Sequence, residues 1–475
     1  MPSVIAIDQG TTGSKAYRLD TEGHFMPLGG FEHRQIFPEP GWVEHDAREL
    51  LDHVRRLAER AEDAVALGID NQGETVVAWD ADSGEPICNA IVWQDARTLP
   101  VSERLKADGA EALTMERAGL PLDPYFAASK LRWMIEHVPA AKSLLARGRL
   151  RLGTSDSYFL DRLAGVYATD VTTASRSSLM NLETGNWDAE LCRLFGVPIE
   201  CLAEIRPTTG DFGCFGRLPI RASLVDQQAA LFGHGCRRPG QAKITFGTGA
   251  FALAVTDRIV ASEAAAGLNR TVAWQIGGEP MVYAIEGGIY NAASAVNWAR
   301  DLGLFAGFDQ IESFAAAPAI ERGLAFVPAL SGLACPYWDR NAAGLWLGMG
   351  LETTRTDMMQ ALLEGVALLA AELIVAIDRA TPLTGAISID GGLSNNGYFC
   401  AFLTEALMRE VNVPANADLT GLGCAQLTLI GSGLATIESL PPAPPPRHRS
   451  APRNPLSPAA RARFEVAVER CRNWR

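Results

Sequence analysis

The sequence predicts an α/β protein built from two related domains, and three observations predict it. The chain is 475 residues long, more than a single hydrophobic core usually serves. Val4 to Leu19 reads VIAIDQGTTGSKAYRL, and from Lys243 the segment KITFGTGAFALAV repeats its plan of apolar strand, Gly/Thr turn and second apolar strand. Strand-like and helix-like segments then alternate in both halves, as an α/β class requires. Glycine in such turns lets the main chain approach a ligand closely, so backbone N–H groups and hydroxyls can meet phosphate oxygens. One Gly-rich hairpin is a common feature; two copies in two halves point to two domains serving one nucleotide across a cleft.

The elements follow in order. VIAIDQG and KAYRLD are strands, and an extended stretch carries GWVEHD. A helix is expected from about Ala47 to Ala64, then a buried strand over AVALGI (Ala64–Ile69), followed by NQGETVVAWD. WQDART leads into mainly helical sequence through about Leu194, broken by Gly119, Pro121 and Pro124 into a loop around DPYF. RASLVDQQAALFGHG, from Arg221, reads as a strand end followed by a helix start, with Asp226 at the junction. GCRRPGQ (Gly235–Gln241) has turn composition and marks the domain boundary. In the second half AISIDGGLSNNGYFCAFLTEAL is strand, Gly turn and helix, a third phosphate-loop candidate. The apolar stretch ALLEGVALLAAELIVAI from Ala361 carries Glu364 and Glu372; it reads as too short and too interrupted to span a bilayer, hence a buried interdomain or core helix. Leu440–Pro455 is Pro-rich and expected as extended surface chain. Ser457 caps a final helix that starts at Pro458 and ends near Arg472. The expected domains are thus 1–236, 237–440 and a terminal segment 441–475.

Hydrophobic content of 48% and charged content of 20% suit a globular enzyme. The net charge of −13 argues against a nucleic-acid partner, which needs a basic face. Nine cysteines without paired spacing point to the reducing cytoplasm and to buried thiols rather than disulfides or structural zinc. The N-terminus enters a strand at once, without a basic-then-apolar leader.

Chemistry concentrates at a few residues. Asp8 ends the first strand just before a phosphate-type turn, where a carboxylate is repelled unless a cation intervenes; it is the candidate for Mg²⁺, directly or through water. The alternative is a turn aspartate capping its own backbone. Asp226 is the candidate general base for phosphoryl transfer to a hydroxyl, with Gln227 beside it able to hold a second hydroxyl. Asp226 as an N-cap is compatible with that role. Asn71, Gln72 and Glu74 form a polar cluster between two apolar runs, suited to a polyhydroxy ligand or to turn chemistry alone. Tyr125 and Phe251 could wall a small substrate, and His33 and His45 lack metal-ligand spacing and read as structural.

DQGTTGSK, FPEPGWVEHD, GIDNQGETVVAWD, IVWQDART, GLPLDPYFAASKLRWM, VDQQAALFG, FGTGAF, VPALSGLACPYWD and IDGGLSNN occur in that order. From Val4 to about Leu434 the chain resembles the FGGY carbohydrate kinases, and within them the glycerol kinase branch. The resemblance implies two actin-like domains of the ribonuclease H type, with ATP and Mg²⁺ between them. It implies Asp226 as catalytic base and Asp8 as the metal residue. Gly73, Glu74, Tyr125, Gln227 and Phe251 would line the polyol site. Thr11, Thr12, Gly13, Lys15, Gly247, Thr248, Ala293, Asn297, Gly392 and Asn396 would serve the nucleotide and its phosphates. A homodimer or tetramer is implied as well.

Four departures stand out. Gly73 replaces an arginine that grips glycerol hydroxyls in that branch, removing up to five donors and, on the sequence alone, leaving room for more atoms. Ala293 replaces a glycine near the nucleotide, and Lys15 replaces an arginine, keeping charge without the bidentate fork. The segment FGCFG is shorter than the loop that binds fructose bisphosphate in some bacterial relatives, which argues against that regulation. The resulting expectation is an ATP-dependent kinase of a terminal hydroxyl on a small polyol or sugar. The alternative acceptor is a longer polyol or ketose such as erythritol, a pentitol or a pentulose. A catalytically silent nucleotide-binding regulator and a phosphohydrolase on the same scaffold are the rivals from other classes.

Overall fold

The computed structural model describes residues 1–61, 63–442 and 444–475. They fall into two compact units. The first comprises Met1–Gly235, Arg270–Ala284 and Asp418–Ala443; the second comprises Cys236–Asn269, Ile285–Ala417 and Pro444–Arg475. The chain leaves the first unit within the GCRRPGQ turn, but the expected segmentation differs from these units in two ways. Segments 270–284 and 418–440 do not belong with the rest of 237–440 but pack in the first unit, and 444–475 is an integral part of the second.

The first unit is organised by a six-stranded sheet. The strand Ser3–Gln9 pairs antiparallel with Gly13–Asp20, which pairs with Phe25–Glu32. On its other side Ser3–Gln9 runs parallel to Ala66–Asn71, and that strand runs parallel to Leu218–Val225. Three parallel strands side by side are buried on both faces, which explains continuous apolar runs such as VIAI and ALGI. The expected helix after GWVEHD is real but shorter, Ala47–Ala58, capped by Asp46 and with Leu50, Val54 and Leu57 turned inward. The strand after it starts at Ala66 rather than Ala64. The stretch expected as mainly helical also hides a strand, Leu150–Thr154, paired antiparallel with Val76–Asp80.

The late helix Leu419–Gly431 closes this unit through small residues. A side chain at Gly423 would run into the Ala229 carbonyl oxygen, and one at Gly421 would overlap the Tyr17 ring. Such close backbone approach is why this segment belongs here despite its position in the sequence.

The second unit repeats the plan. Ala242–Phe246 forms a hairpin with Ala250–Thr256 and runs parallel to Ile387–Gly391, which is parallel to Val411–Val413. His448–Ser450, within the Pro-rich stretch expected to be extended surface chain, adds an antiparallel edge strand to Val411–Val413. The helix Arg355–Ala380 starts at a capping box of Thr354 and Asp357. At 26 residues it is long and apolar enough by composition to cross a membrane, which corrects the expectation that it is too short; 83% of its most apolar window is buried in the protein, as a core helix. Its Glu364 accepts backbone N–H groups of Ala319 (2.7 Å) and Ile320 (2.8 Å), and its Glu372 accepts the Tyr337 hydroxyl (2.5 Å). The final helix is Pro458–Cys471 with Ser457 as its cap. All nine cysteines are free thiols.

Candidate functional site

The carboxyl ends of three parallel strands in the first unit bring Asp8, Asp70 and Asp226 together. Register places Asp8 beside Asp70 and Leu224 beside Asp70, so Asp226 follows at the end of the third strand. Ends of parallel strands are where α/β sheets place ligands. Burial pushes the Asp8 carboxyl up to about 6, with the Lys15 ammonium opposing it. Asp70 is pushed well above the ordinary range, first by burial and then by the Asp8 and Asp226 carboxylates. Asp226 is the first residue of the helix Asp226–Gly233 rather than its cap; Val225 holds the cap position. The Asp226 carboxylate accepts the Gln227 backbone N–H at 2.6 Å, which fixes its rotamer at the strand–helix junction.

Among the described residues, no three His, Cys, Asp or Glu side chains gather as a metal cage. Mg²⁺ does not need one: it is usually held by one or two carboxylates plus substrate phosphates, and the oxygen donors of Asp8 and its neighbours suit it.

A second group in the same unit surrounds Glu74. Glu74 is buried and accepts Nε of buried Arg176 at 2.7 Å. The Arg176 guanidinium lies 5.7 Å from the Tyr125 ring centroid and 5.4 Å from that of Phe126. Tyr125 meets Trp93 edge-on at 5.5 Å, and Trp93 donates its indole N–H to the Thr11 hydroxyl at 2.8 Å. Thr11 of the first glycine turn is thereby tied to the residues expected to line the polyol site. The loop carrying Tyr125 is pinned by buried Lys130, whose ammonium donates to the carbonyls of Pro124 (2.8 Å), Tyr125 (2.6 Å) and Phe126 (3.0 Å).

Asn71 and Gln72 serve the fold. Asn71 bonds the hydroxyls of Ser155 and Thr173, and Gln72 bonds His45. His33 stacks on His53 and approaches the Ser14 hydroxyl. Burial and the neighbouring imidazoles hold His33 down at about 3, and burial holds His45 at about 4. Lys15 is mostly exposed and pairs with Asp418 at 3.3 Å.

Gly73 corrects one expectation. A Cβ there would lie 2.7 Å and 2.9 Å from the two methyl carbons of Val225. The volume that the sequence suggested was left open is, along that direction, already filled.

In the first glycine turn Gly10 N–H donates to the Gly13 carbonyl at 3.0 Å, and the Thr12 carbonyl accepts His33 N–H at 2.9 Å. A side chain at Gly13 would come within 2.7 Å of the Phe31 carbonyl oxygen. In the second unit the turn Gly247–Thr248 caps the helix Ala293–Asp301: Ala293 N–H donates to the Gly247 carbonyl (3.1 Å) and Ser294 N–H to that of Thr248 (3.1 Å). Asn297 is exposed one turn along that helix. Phe251 lies opposite Thr245 in the hairpin. Gly391 has φ of 86°, and Gly392 has open space where a Cβ would stand. Asn396 caps the next helix, accepting Phe399 N–H at 2.7 Å while donating to the Ile311 carbonyl at 2.8 Å.

Residues 3–233 match the N-terminal domain of the FGGY family of carbohydrate kinases, and residues 242–432 match its C-terminal domain. The chain belongs to the FGGY family of carbohydrate kinases. It is 40% identical to a glycerol kinase of Thermus brockianus over 494 aligned positions, covering 100% of this chain and 99% of the relative. It is 42% identical to a glycerol kinase of Trichlorobacter lovleyi, covering 91% and 90%. Among solved structures, Plasmodium falciparum glycerol kinase with ADP superposes at a TM-score of 0.89 and 28% identity, covering 99% of this chain and 98% of that one. The two-unit α/β fold is thus the actin-like FGGY fold. The protein is an ATP-dependent carbohydrate kinase, a phosphotransferase with an alcohol acceptor, similar over its length to glycerol kinases.

Within this FGGY kinase, sequence reasoning missed Asp70, Trp93, Lys130, Arg176 and Val225 as neighbours of the candidate residues. One signal for Asp70 was present: Ile-Asp stands one residue before the end of three strands, at Asp8, Asp70 and Asp390. Arg176 and Val225 carry no such mark.

Proposed function

We propose that this kinase transfers the γ-phosphoryl group of ATP to a terminal hydroxyl of glycerol or an acceptor of similar size. The observation that carries the reading is the alignment of Asp8, Asp70 and Asp226 at the ends of adjacent parallel strands, next to the Gly10–Gly13 turn. Asp226 accepts the proton as the hydroxyl oxygen bonds to the γ-phosphorus and the bond to the ADP oxygen breaks. Glu74, held by Arg176, accepts hydrogen bonds from the remaining hydroxyls, and Tyr125 packs against the carbon chain. Thr11, Thr12 and Gly13 in the first unit offer N–H groups and hydroxyls to the phosphates, and Gly247, Thr248 and Gly392 belong to turns of the same kind in the second. Asp8 would hold Mg²⁺, which supplies charge neutralisation on the phosphoryl oxygens when bound.

The small acceptor is favoured by Val225, whose methyl groups fill the direction in which a larger substrate could have exploited Gly73. Curated relatives named glycerol kinase along the full length support the same reading. The kinase works in the cytoplasm, where ATP and reduced thiols coexist, and the family resemblance supports a homo-oligomer. Incubation with Mg·ATP and glycerol, with ³¹P NMR of the product, tests the reaction: a monophosphate ester on a terminal carbon is expected. Inorganic phosphate in its place would show hydrolysis and reject the reading.

A further inference from the structure

We propose that Gly73 and Val225 form one specificity element. Gly73 precedes Glu74, and Val225 precedes Asp226, so the pair sits beside both the residue expected to hold hydroxyls and the expected base. The two Val225 methyl carbons stand 2.7 Å and 2.9 Å from where a Cβ on Gly73 would be, and its own Cβ stands at 3.4 Å. Distances below 3 Å cannot persist between carbon atoms, so any side chain at 73 requires Val225 to move. Val225 cannot move freely: it is 2% exposed and paired in register with Asn71. Its backbone cannot carry the methyl groups aside either, since the Val225 N–H donates to the Thr172 hydroxyl at 3.0 Å.

The consequence is that apolar carbon fills the direction a side chain at 73 would take. Val225 is itself buried and acts through Gly73: it keeps position 73 bare, so no side chain from there reaches an acceptor held by Glu74 and Gln227. The filled direction leaves no room beside Gly73 for a larger group, and a long side chain at 73 cannot be accommodated by a single substitution. This rests on the kinase reading above.

A mutant cycle tests it with kcat/KM for glycerol and erythritol and with Tm. Gly73→Arg alone is expected to lower glycerol kcat/KM at least tenfold, and Gly73→Arg with Val225→Gly to recover most of that loss. Val225→Ala alone is expected to raise the erythritol-to-glycerol ratio of kcat/KM about tenfold. Equal activity of Gly73→Arg with and without Val225→Gly, or an unchanged acceptor ratio in Val225→Ala, overturns the proposal. If Gly73→Arg does not fold, Gly73→Ala reads the same contact: its Tm should drop by roughly 3–6 °C with Val225 present and by much less in the Val225→Gly background. Equal drops in both backgrounds overturn the pairing. The Tm cycle needs no substrate, so a wild-type protein inactive on every polyol would reject the kinase reading while leaving the pairing to be judged separately.

Discussion

At Asp226 and Glu74 neighbouring groups orient the carboxylate within the fold. The Asp226 carboxylate is oriented by the Gln227 N–H, and Glu74 is fixed by a buried guanidinium. Asp226→Asn keeps shape and removes proton acceptance, so turnover should fall ~10²–10⁴-fold. ATP binding by calorimetry should persist; near-normal turnover would reject Asp226 as base. Lys130 holds three carbonyls of the loop bearing Tyr125, and on the proposed reading it positions the acceptor only through that loop. Lys130→Met should raise the acceptor KM about tenfold, for loss of charge-assisted bonds of ~1.5–3 kcal/mol, with a smaller change in kcat. A fall in kcat alone would mean the loop does not position the acceptor. Asp8, Asp226 and Glu74 stand out in the sequence as candidates because chemistry-bearing residues sit next to turns. Val225 and Arg176 were not: their partners lie 152 and 102 residues away, and only strand register and helix packing bring them together.

At the scale of elements, the hairpin and parallel neighbour found in each half were readable from apolar runs that end in glycine turns. The strand Leu150–Thr154 was not, since RLRLGT sits among helical segments and its identity comes from pairing with Val76–Asp80. The return of Leu419–Gly431 to the first unit was equally hidden, because its apolar, glycine-rich sequence fits any buried helix. Its contact is specific in the structure: Gly423 packs against the Ala229 carbonyl in the helix that Asp226 opens. Gly423→Ala is therefore expected to cost about 1–3 kcal/mol from overpacking. Chemical denaturation checks this, and because the strain falls on the Asp226 helix, kcat should drop with stability. A variant as stable as wild type would show that the two helices are less tightly joined.

For the whole molecule, pH acts through buried acids. Burial holds Glu372 at about 7, above the ordinary 4.5, against the lowering effect of the Tyr337 hydroxyl. The folded chain thus binds a proton more tightly than the unfolded one, so this group's contribution to stability is full below about 4.5 and is lost as pH rises through about 7. Glu372→Gln keeps an acceptor for Tyr337 and removes the titration. Its Tm should decline less than that of wild type between pH 5 and 8, by a few degrees; parallel curves would contradict the assignment. The central claim, transfer to a small polyol, is tested most directly by ADP release with Mg·ATP across glycerol, dihydroxyacetone, erythritol, the pentitols and the pentuloses. The account predicts the highest kcat/KM with glycerol or dihydroxyacetone and negligible ADP without an acceptor. A tenfold preference for a four- or five-carbon acceptor, or ADP release that needs no acceptor, would contradict it.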